Sequence, residues 1–334
     1  MSHTQTVLGP VPSSDLGRVM MHEHLLSLVP GPWLGGDATS PVDLAVSALA
    51  GLPERGYRTV VDLSPYNVVG RDADGSNAAL LAEISRRSGM HVVSGTAFYL
   101  ESWTPEWAAG ASADELAERL IRDIEVGIGS SGVRAGILGE QATGLDVMSD
   151  HEERAFRAAA RAARHTGVAL MTHTTHGTLA LRQVELLVEE GVALDRVVIG
   201  HLDTQLDPAL LDEVLATGAS VAIDTIGKQE WDYFLGPPQD REEGPFVKRA
   251  FHRGDEGRAD IVAGLVAAGH AARIVLAQDL TGAEVWMNPT THGVHGYRYL
   301  HDVFRPMLLE RGVTESDYDR MVAANPARLL GVAA

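Results

Sequence analysis

The chain has 334 residues, of which 45% are hydrophobic, so it can bury a full core as one large α/β barrel or as two smaller domains. Its 27 basic and 45 acidic residues give a formal charge of −18, which repels the phosphate backbone of nucleic acids and anionic membrane surfaces. The absence of cysteine excludes disulfides, thiolate metal ligands and cysteine nucleophiles, so a metal would have to be bound by His, Asp and Glu.

No segment has the pattern of a signal peptide or a membrane span. Residues 1–17 are polar and contain prolines, and the apolar stretch 261–277 is interrupted by His270 and Arg273. We therefore expect a cytoplasmic protein that acts on a small molecule and has neither a nucleic acid nor a membrane as partner.

Eight short β-rich segments recur along the chain, and most are followed by an Ala- and Leu-rich segment with helical spacing. The predicted strands are 18–21, 59–63, 91–96, 134–138, 169–172, 197–200, 220–223 and 273–277. The predicted helices include 112–127, 150–166, 179–191, 208–218 and 260–268. Such crossover helices are what parallel strands require. The alternation predicts one (β/α)8 TIM barrel domain over residues 1–334.

The main alternative fold is a doubly wound parallel sheet. That fold would place a glycine-rich turn after the first strand, but this chain has His22, Glu23 and His24 there. No Pro/Gly/Ser-rich linker or charge block divides the chain. The sequence therefore favours the single barrel.

Metal-ligand residue types follow several of the predicted strands. His22 and His24 end the first strand, and residues two apart in a strand point to the same side. The others are Glu140, His173, His201 and Asp279, at the ends of strands four, five, six and eight. Barrel enzymes build their sites from these strand ends. The sequence therefore predicts a metal site there.

Each of these residues also has a simpler interpretation. His173 or His201 alone could be a solvated loop residue, and Asp279 could cap the following helix. His91, His151, His165, His252, His270 and His301 fall at strand starts, in helices or in connections and receive no role. His176, His292 and His295 follow strands five and eight and are candidates for lining a pocket.

The connections after strands seven and eight, residues 226–245 and 280–299, are long and rich in Trp, Tyr, Gly and His. We expect them to form the mouth of the pocket. Trp231, Tyr233 and Trp286 would give it an aromatic wall, or would instead form a homodimer interface.

With these positions assigned, the chain resembles the phosphotriesterase-related branch of the amidohydrolase superfamily almost from end to end. The matching segments are 17–24, 61–63, 70–72, 95–99, 132–137, 172–174, 199–201 with Asp203, and 325–328. The resemblance implies a (β/α)8 barrel with two divalent metals bridged by a carboxylate and a hydroxide. The metals are usually zinc, with manganese, cobalt or nickel as alternatives.

The resemblance also implies how the ligands are divided. His22, His24 and Asp279 would hold the more buried metal, and His173 and His201 the more exposed one. The best-known members bridge the metals with a carboxylated lysine, whereas this chain has Gly139 at that position.

Other members resemble the chain in having a glutamate one residue later, which makes Glu140 the bridge. A one-residue shift reverses the face of a strand, so strand four must bulge or end by Gly139. The alternative is that Glu140 caps the next segment and the site binds one metal.

Two cations on one oxygen lower the pKa of bound water to about 7 and supply hydroxide at neutral pH. Asp279 is expected to accept the proton. Tyr99 resembles the tyrosine that lies near the metals in lactonase-like members, although it could be an aromatic core residue. Arg71 could bind an anionic substrate, or pair with Asp62 or Asp72.

The leading functional prediction is hydrolysis of a carboxylic ester or lactone, with organophosphate triester cleavage as a weak side activity at most. A second prediction is amide cleavage in N-acyl amino acids or related compounds, because the same hydroxide attacks amide carbonyls. A third, of another class, is a non-catalytic metal- or ligand-binding protein.

The glutamate bridge predicts that metal loading does not require bicarbonate, because the carboxylate is encoded rather than formed from lysine and carbon dioxide. Chelator-treated protein refilled with zinc in carbon dioxide-free buffer should regain the same metal content with and without added bicarbonate. Reconstitution that depends on bicarbonate would contradict the assignment of Glu140.

Overall fold

The fold is described from a computed structural model, which covers residues 2–34, 40–229, 231–238, 246–252 and 254–333. For 231–238, 246–252 and 333 only the backbone is described. The strands are β1 (Ser2–Thr6), β2 (Gly9–Pro12), β3 (Arg18–Glu23), β4 (Tyr57–Asp62), β5 (His91–Thr96), β6 (Ile137–Thr143), β7 (Leu170–Thr174), β8 (Val197–Ile199), β9 (Ser220–Ile223), β10 (Trp231–Pro238), β11 (Phe246–His252), β12 (Ile274–Leu276) and β13 (Val332–Ala333).

The helices alternate with the strands of the larger sheet. They are α1 (Pro41–Leu49), α2 (Ala79–Ser88), α3 (Glu106–Ala109), α4 (Ala113–Glu125), α5 (Asp150–Thr166), α6 (Ala180–Glu189), α7 (Pro208–Ala216), α8 (Asp255–Ala267), α9 (Gly282–Met287), α10 (His292–His295), α11 (Arg305–Glu310), α12 (Glu315–Asp319) and α13 (Asn325–Leu330). Two π-helical turns, Leu300–Phe304 and Arg320–Ala324, lead into α11 and α13.

Eight parallel strands form the TIM-like barrel that the sequence predicts. Their order is β3, β4, β5, β6, β7, β8, β9 and β12, so that each strand is hydrogen-bonded to the next of the set along the chain. A three-stranded sheet of β13, β1 and β2 and the antiparallel pair β10 and β11 lie outside the barrel sheet. The predicted α/β class and the eight barrel strands are confirmed.

Side chains alternate between two cores along the strands. Val19 and Met21 of β3 belong to the inner core of the barrel, whereas Met20 packs with the helices outside it. The inner core of the barrel also contains Leu16, which precedes β3, and Leu329 and Leu330 of α13. Because both faces of a parallel sheet are buried, the strands contain many apolar residues. The candidate metal ligands come at or near the carboxyl ends of their strands.

Serine caps fix where two of the longest helices begin. Ser112 and Ser149 each accept a hydrogen bond from the third helical residue, Glu115 or Glu152, whose side chain binds back to the capping residue. Such capping boxes satisfy amide groups that a helix start leaves open. The Glu152 carboxylate also accepts the amide of Gly144 and thereby ties α5 to the end of β6.

The fourth barrel strand differs most from its predicted bounds. It was expected at 134–138, but β6 extends from Ile137 to Thr143, so Glu140 lies within the strand rather than beyond it. The pairing with β7 shifts between Leu138 and Gln141, which is the bulge that the sequence required. Gly139 has a φ of 145°, and a Cβ there would lie 2.7 Å from the carbonyl oxygen of Met171.

Two further corrections concern the long segments. Helix α8 begins at Asp255, five residues before the predicted 260, because the Arg258 side chain is buried in ion pairs rather than exposed. Residues 226–245, expected to be a long connection at the mouth of the pocket, contain strand β10, which pairs with β11. The predicted aromatic wall of Trp231 and Tyr233 lies outside the described side chains.

Glu23 links the first and last strands of the barrel. Its fully buried carboxylate accepts the amide of Gln278 at 3.0 Å and that of Leu280 at 2.9 Å. The amide of Asp279 in turn donates to the carbonyl of His22. Burial raises the pKa of Glu23 to about 8, although the two amide hydrogen bonds oppose the shift. Glu23, which lies between the candidate ligands His22 and His24, therefore helps to close the barrel.

Replacing Glu23 by alanine should lower the free energy of unfolding by about 2–4 kcal/mol, because two buried amides lose their acceptor. Urea denaturation in excess chelator measures this without a contribution from bound metal. The matched control is Glu213→Ala, whose side chain is exposed on α7 and should change stability by less than about 0.5 kcal/mol. Equal stability of the two variants would refute the role in closure.

Candidate metal centre

The six predicted metal-ligand residues converge at the carboxyl-terminal ends of the barrel strands. Ligand atoms of His22, His24, Glu140 and Asp279 lie within 4.8 Å of one another. Those of Glu140, His173 and His201 form a second group of the same span. Because the Glu140 carboxylate belongs to both groups, the clusters are consistent with a binuclear metal site.

The Glu140 carboxylate lies at the centre of the histidines. Its Oε2 is 2.9 Å from His173 Nδ1, 3.4 Å from His201 Nε2 and 3.7 Å from His22 Nε2. Its Oε1 is 3.4 Å from His24 Nε2. Strand β6 can present the carboxylate this way only because the bulge at Gly139 turns it inward.

Asp279 completes the first group from the opposite side of the barrel. Its Oδ1 lies 2.9 Å from His24 Nε2 and 3.6 Å from His22 Nε2. Helix α9 begins after Thr281, so the carboxylate of Asp279 faces the histidines rather than the helix start.

The sequence analysis missed Asp224, which holds two of the histidines from behind. Its Oδ2 lies 2.9 Å from His22 Nδ1, and its Oδ1 lies 3.0 Å from His201 Nδ1 and accepts the His201 amide. The Ser64 hydroxyl does the same for His24 at 3.0 Å. Such partners fix the tautomer and ring orientation of a metal-ligating histidine. Asp224 directly follows the seventh strand, so inspecting that strand end would have found it.

Two residues of the cluster adopt left-handed backbone conformations, with φ of 57° for His201 and 47° for Asp279. Non-glycine residues adopt this region only where the surroundings enforce it, and such residues concentrate at functional sites. The neighbouring Gly200 is required sterically, because a Cβ would lie 2.1 Å from the Thr172 carbonyl oxygen.

The carboxylates of the cluster stabilise positive charge on the histidines beside them, which raises the pKa of three of these histidines. Burial alone would lower the pKa of His22, but Asp279 and Glu140 raise it well above 6.5. Burial also lowers the pKa of His24, but Asp279 and Glu140 outweigh it and raise the pKa to about 9. For His201 the effect of burial is outweighed by Asp224, which raises the pKa to about 10.

This set of donors fits a divalent ion. The buried Nε2 of His22 has no hydrogen-bond partner among the described residues, although two carboxylates lie near it. Imidazole nitrogens and carboxylate oxygens without thiolates suit zinc and other first-row divalent ions. Such an ion would replace the imidazole protons as the source of positive charge.

A cleft of about 280 Å³ opens above the cluster, and Tyr99 forms part of its wall. The half-buried Tyr99 hydroxyl lies 3.3 Å from His173 Nε2. Burial, followed by repulsion from Glu140 and Asp279, raises the pKa of Tyr99 well above 10. Its aromatic neighbour Phe98, in contrast, packs fully in the core.

The other residues predicted near the pocket lie in different environments. His176 lines the cleft, whereas His292 is buried and donates to the carbonyl of Ile226 at 2.9 Å. His295 packs its ring against Tyr299. Arg71 is buried and pairs with Asp62 at 3.0 Å, which is the simpler of its two predicted roles.

The long connection 280–299 contains helices α9 and α10. Trp286 of α9 is two-thirds exposed, and the residues that line the cleft in the described structure do not include it. Glu284 from the same helix and Lys228 after β9 do line the cleft, and sequence analysis singled out neither. Across the residues the structure covers, no helix is long and apolar enough to cross a membrane.

The phosphotriesterase family model matches residues 2–330. The chain belongs to this family. A phosphotriesterase homology protein of Escherichia coli is 31% identical over 277 residues, which cover 83% of this chain and 85% of the relative. The human N-acetyltaurine hydrolase is 26% identical over 98% of this chain and 97% of its own length.

A solved structure of a mutant PTE-like lactonase from Deinococcus radiodurans is similar to this chain over almost its whole length. It superposes with a TM-score of 0.78 at 30% identity, covering 98% of this chain and all of the other. The resemblance seen in the sequence is thus confirmed at the level of family and fold.

Replacing Asp224 by asparagine should weaken metal binding about 10–100-fold, because the single remaining oxygen cannot accept from both His22 and His201. Competition with a chromogenic zinc chelator measures the affinity. Asp212→Asn, on the exposed face of α7, is the matched control and should bind as the wild type does. If both variants keep full affinity, Asp224 has no part in holding the ligands.

Proposed function

We propose that this member of the phosphotriesterase family is a binuclear metal-dependent hydrolase of carboxylic esters or lactones. The observation that carries the proposal is the Tyr99 hydroxyl beside His173, in the wall of the cleft above the cluster. The similarity to a PTE-like lactonase supports it. Zinc is our proposed ion, because the donors are imidazoles and carboxylates.

In this proposal His22, His24 and Asp279 would hold one ion, His173 and His201 would hold the other, and Glu140 would be a ligand shared by both. The distances within the two ligand groups support this division. When bound, two such ions supply Lewis acidity and activate water at neutral pH. The chain's own residues then orient the substrate and handle protons.

Asp279 is the proposed general base. Its Oδ1 faces His24, and its Oδ2 faces the cleft, where it contacts Lys228 at 2.5 Å. A carboxylate in this position can take the proton of attacking water and deliver it to the leaving alkoxide. No covalent bond between substrate and protein is required, which is consistent with the absence of cysteine.

Tyr99 is the proposed partner of the substrate carbonyl. Burial and the carboxylates of Glu140 and Asp279 raise the pKa of Tyr99 well above 10, so the phenol is protonated at neutral pH and can donate a hydrogen bond. Because its hydroxyl projects into the cleft beside His173, it can orient an ester or lactone carbonyl toward the metal cluster. Organophosphate triesters would be at most weak substrates.

A second candidate is hydrolysis of an N-acyl amino acid or related amide. The similarity to a relative named N-acetyltaurine hydrolase favours it, because a hydrolytic site for esters can also attack an amide carbonyl. A non-catalytic binding role would be favoured if candidate ligands were missing, but all six converge.

The purified, zinc-loaded enzyme should be assayed against lactones, aryl esters, N-acyl amides and paraoxon. We expect the highest kcat/KM for a lactone or aryl ester and only weak turnover of paraoxon. A preference for N-acyl amides would select the second candidate. Failure to hydrolyse any of the four classes with two metals bound would refute the proposed function.

Replacing Asp279 by asparagine should lower kcat about 10²–10⁴-fold while much of the metal is retained, because asparagine cannot accept the proton. Metal analysis of the same preparation separates loss of base from loss of metal. Asp260→Asn, at an exposed ion pair with Arg311, is the control and should leave kcat unchanged. Survival of kcat in the Asp279 variant would exclude the proposed proton transfer.

A further inference from the structure

The wall of the cleft contains an ion pair that the proposed reaction does not use. Lys228 Nζ lies 3.2 Å from Glu284 Oε1 as well as 2.5 Å from Asp279 Oδ2. Both side chains line the cleft but expose only 6% and 10% of their surface. Apart from the candidate metal ligands, they are the charged side chains in the described wall of the cleft.

Buried polar contacts hold the backbone that carries Lys228. The Lys228 carbonyl accepts from the Arg258 guanidinium at 3.0 Å, and its amide donates to the carbonyl of Thr225. Arg258 is itself completely buried and paired with Asp203 and Asp255. The ammonium group therefore extends from a fixed anchor.

Glu284 is held just as firmly from its own helix. Its Oε2 accepts from Asn288 Nδ2 at 2.6 Å, and Asn288 Oδ1 accepts the amide of Gln229, the residue after Lys228. The Asn288 side chain thus links the Glu284 carboxylate to the backbone next to Lys228, in addition to the ion pair.

An anionic substrate group would meet a cation that is already neutralised. To bind Lys228 it would have to displace Glu284, leaving a buried carboxylate unpaired beside a second negative charge. An uncompensated buried charge is strongly unfavourable, and contact between like charges adds a further penalty. An uncharged substrate avoids both penalties.

We infer that Glu284 is a specificity-determining residue, which occupies Lys228 and restricts the site to substrates that are uncharged next to the reacting carbonyl. This inference rests on the proposed function and deepens it. It favours neutral lactones and esters over N-acyl compounds that carry a carboxylate or sulfonate. Removing the carboxylate of Glu284 should leave Asp279 as a carboxylate partner of Lys228 and so allow Lys228 to bind an anion more tightly.

Matched substrates test the inference directly. The 4-nitrophenyl ester of glutarate with a free second carboxylate is compared with the same compound as its methyl ester. The wild type should prefer the methyl ester, and E284Q and E284A should shift the ratio of kcat/KM values about tenfold or more toward the anion. Adding K228M to E284Q should cancel the shift.

Binding of methanesulfonate, measured by calorimetry on the zinc-loaded protein, gives an independent readout that requires no hydrolysis. We expect about tenfold tighter binding in E284Q and E284A than in the wild type, and loss of this gain in the K228M/E284Q double variant. E256Q, whose side chain is exposed beside Arg311, is the matched control and should behave as the wild type.

The two readouts separate the two claims. Poor hydrolysis of all neutral esters and lactones by the wild type would count against the proposed function, whereas the sulfonate titration reports on Glu284 alone. Unchanged anion binding in both Glu284 variants, or a gain that persists after K228M is added, would overturn the inference.

Discussion

The arrangement at the barrel mouth depends on one carboxylate, that of Glu140, which lies within 3.7 Å of a nitrogen from each of the four histidines. Burying a carboxylate costs free energy unless hydrogen bonds or positive charge compensate it, and here the imidazoles or the ions they would bind provide that charge. The geometry in turn depends on the bulge at Gly139 in β6, which allows a side chain one position along the strand to enter the barrel. The backbone conformation of β6 therefore determines where the central negative charge of the site lies.

Around this centre, the protein uses carboxylates for three different purposes. Glu140 and Asp279 face the proposed metals, Asp224 holds two of the histidines from behind, and Glu23 closes the barrel through backbone amides. Environment decides among these roles. Opposed by histidines, Glu140 has a pKa that is lowered well below its usual range despite burial, whereas burial raises that of Glu23, whose nearest partners are uncharged amides. The same division extends to the cleft, where Glu284 neutralises a lysine instead of binding a metal.

Sequence analysis could predict the barrel and the six candidate ligands because both follow local rules. Apolar strands alternate with helices, and polar residues at the strand ends of a barrel must meet at one face. It could not predict the bounds of β6, because the bulge depends on the pairing with β7 and not on propensity. Glu284 and Lys228 are adjacent only because α9 packs over the turn after β9, a contact between residues 56 positions apart that no local pattern contains. The early start of α8 likewise depends on burial of Arg258 against Asp203, a residue from a different strand end.

The proposal that these residues hold two metals is tested most directly by anomalous diffraction at the zinc absorption edge from crystals of the zinc-loaded protein. The account predicts two peaks per chain. One should lie among His22, His24 and Asp279, the other beside His173 and His201, and the Glu140 carboxylate should contact both. A single peak, or two peaks without Glu140 between them, would contradict the account.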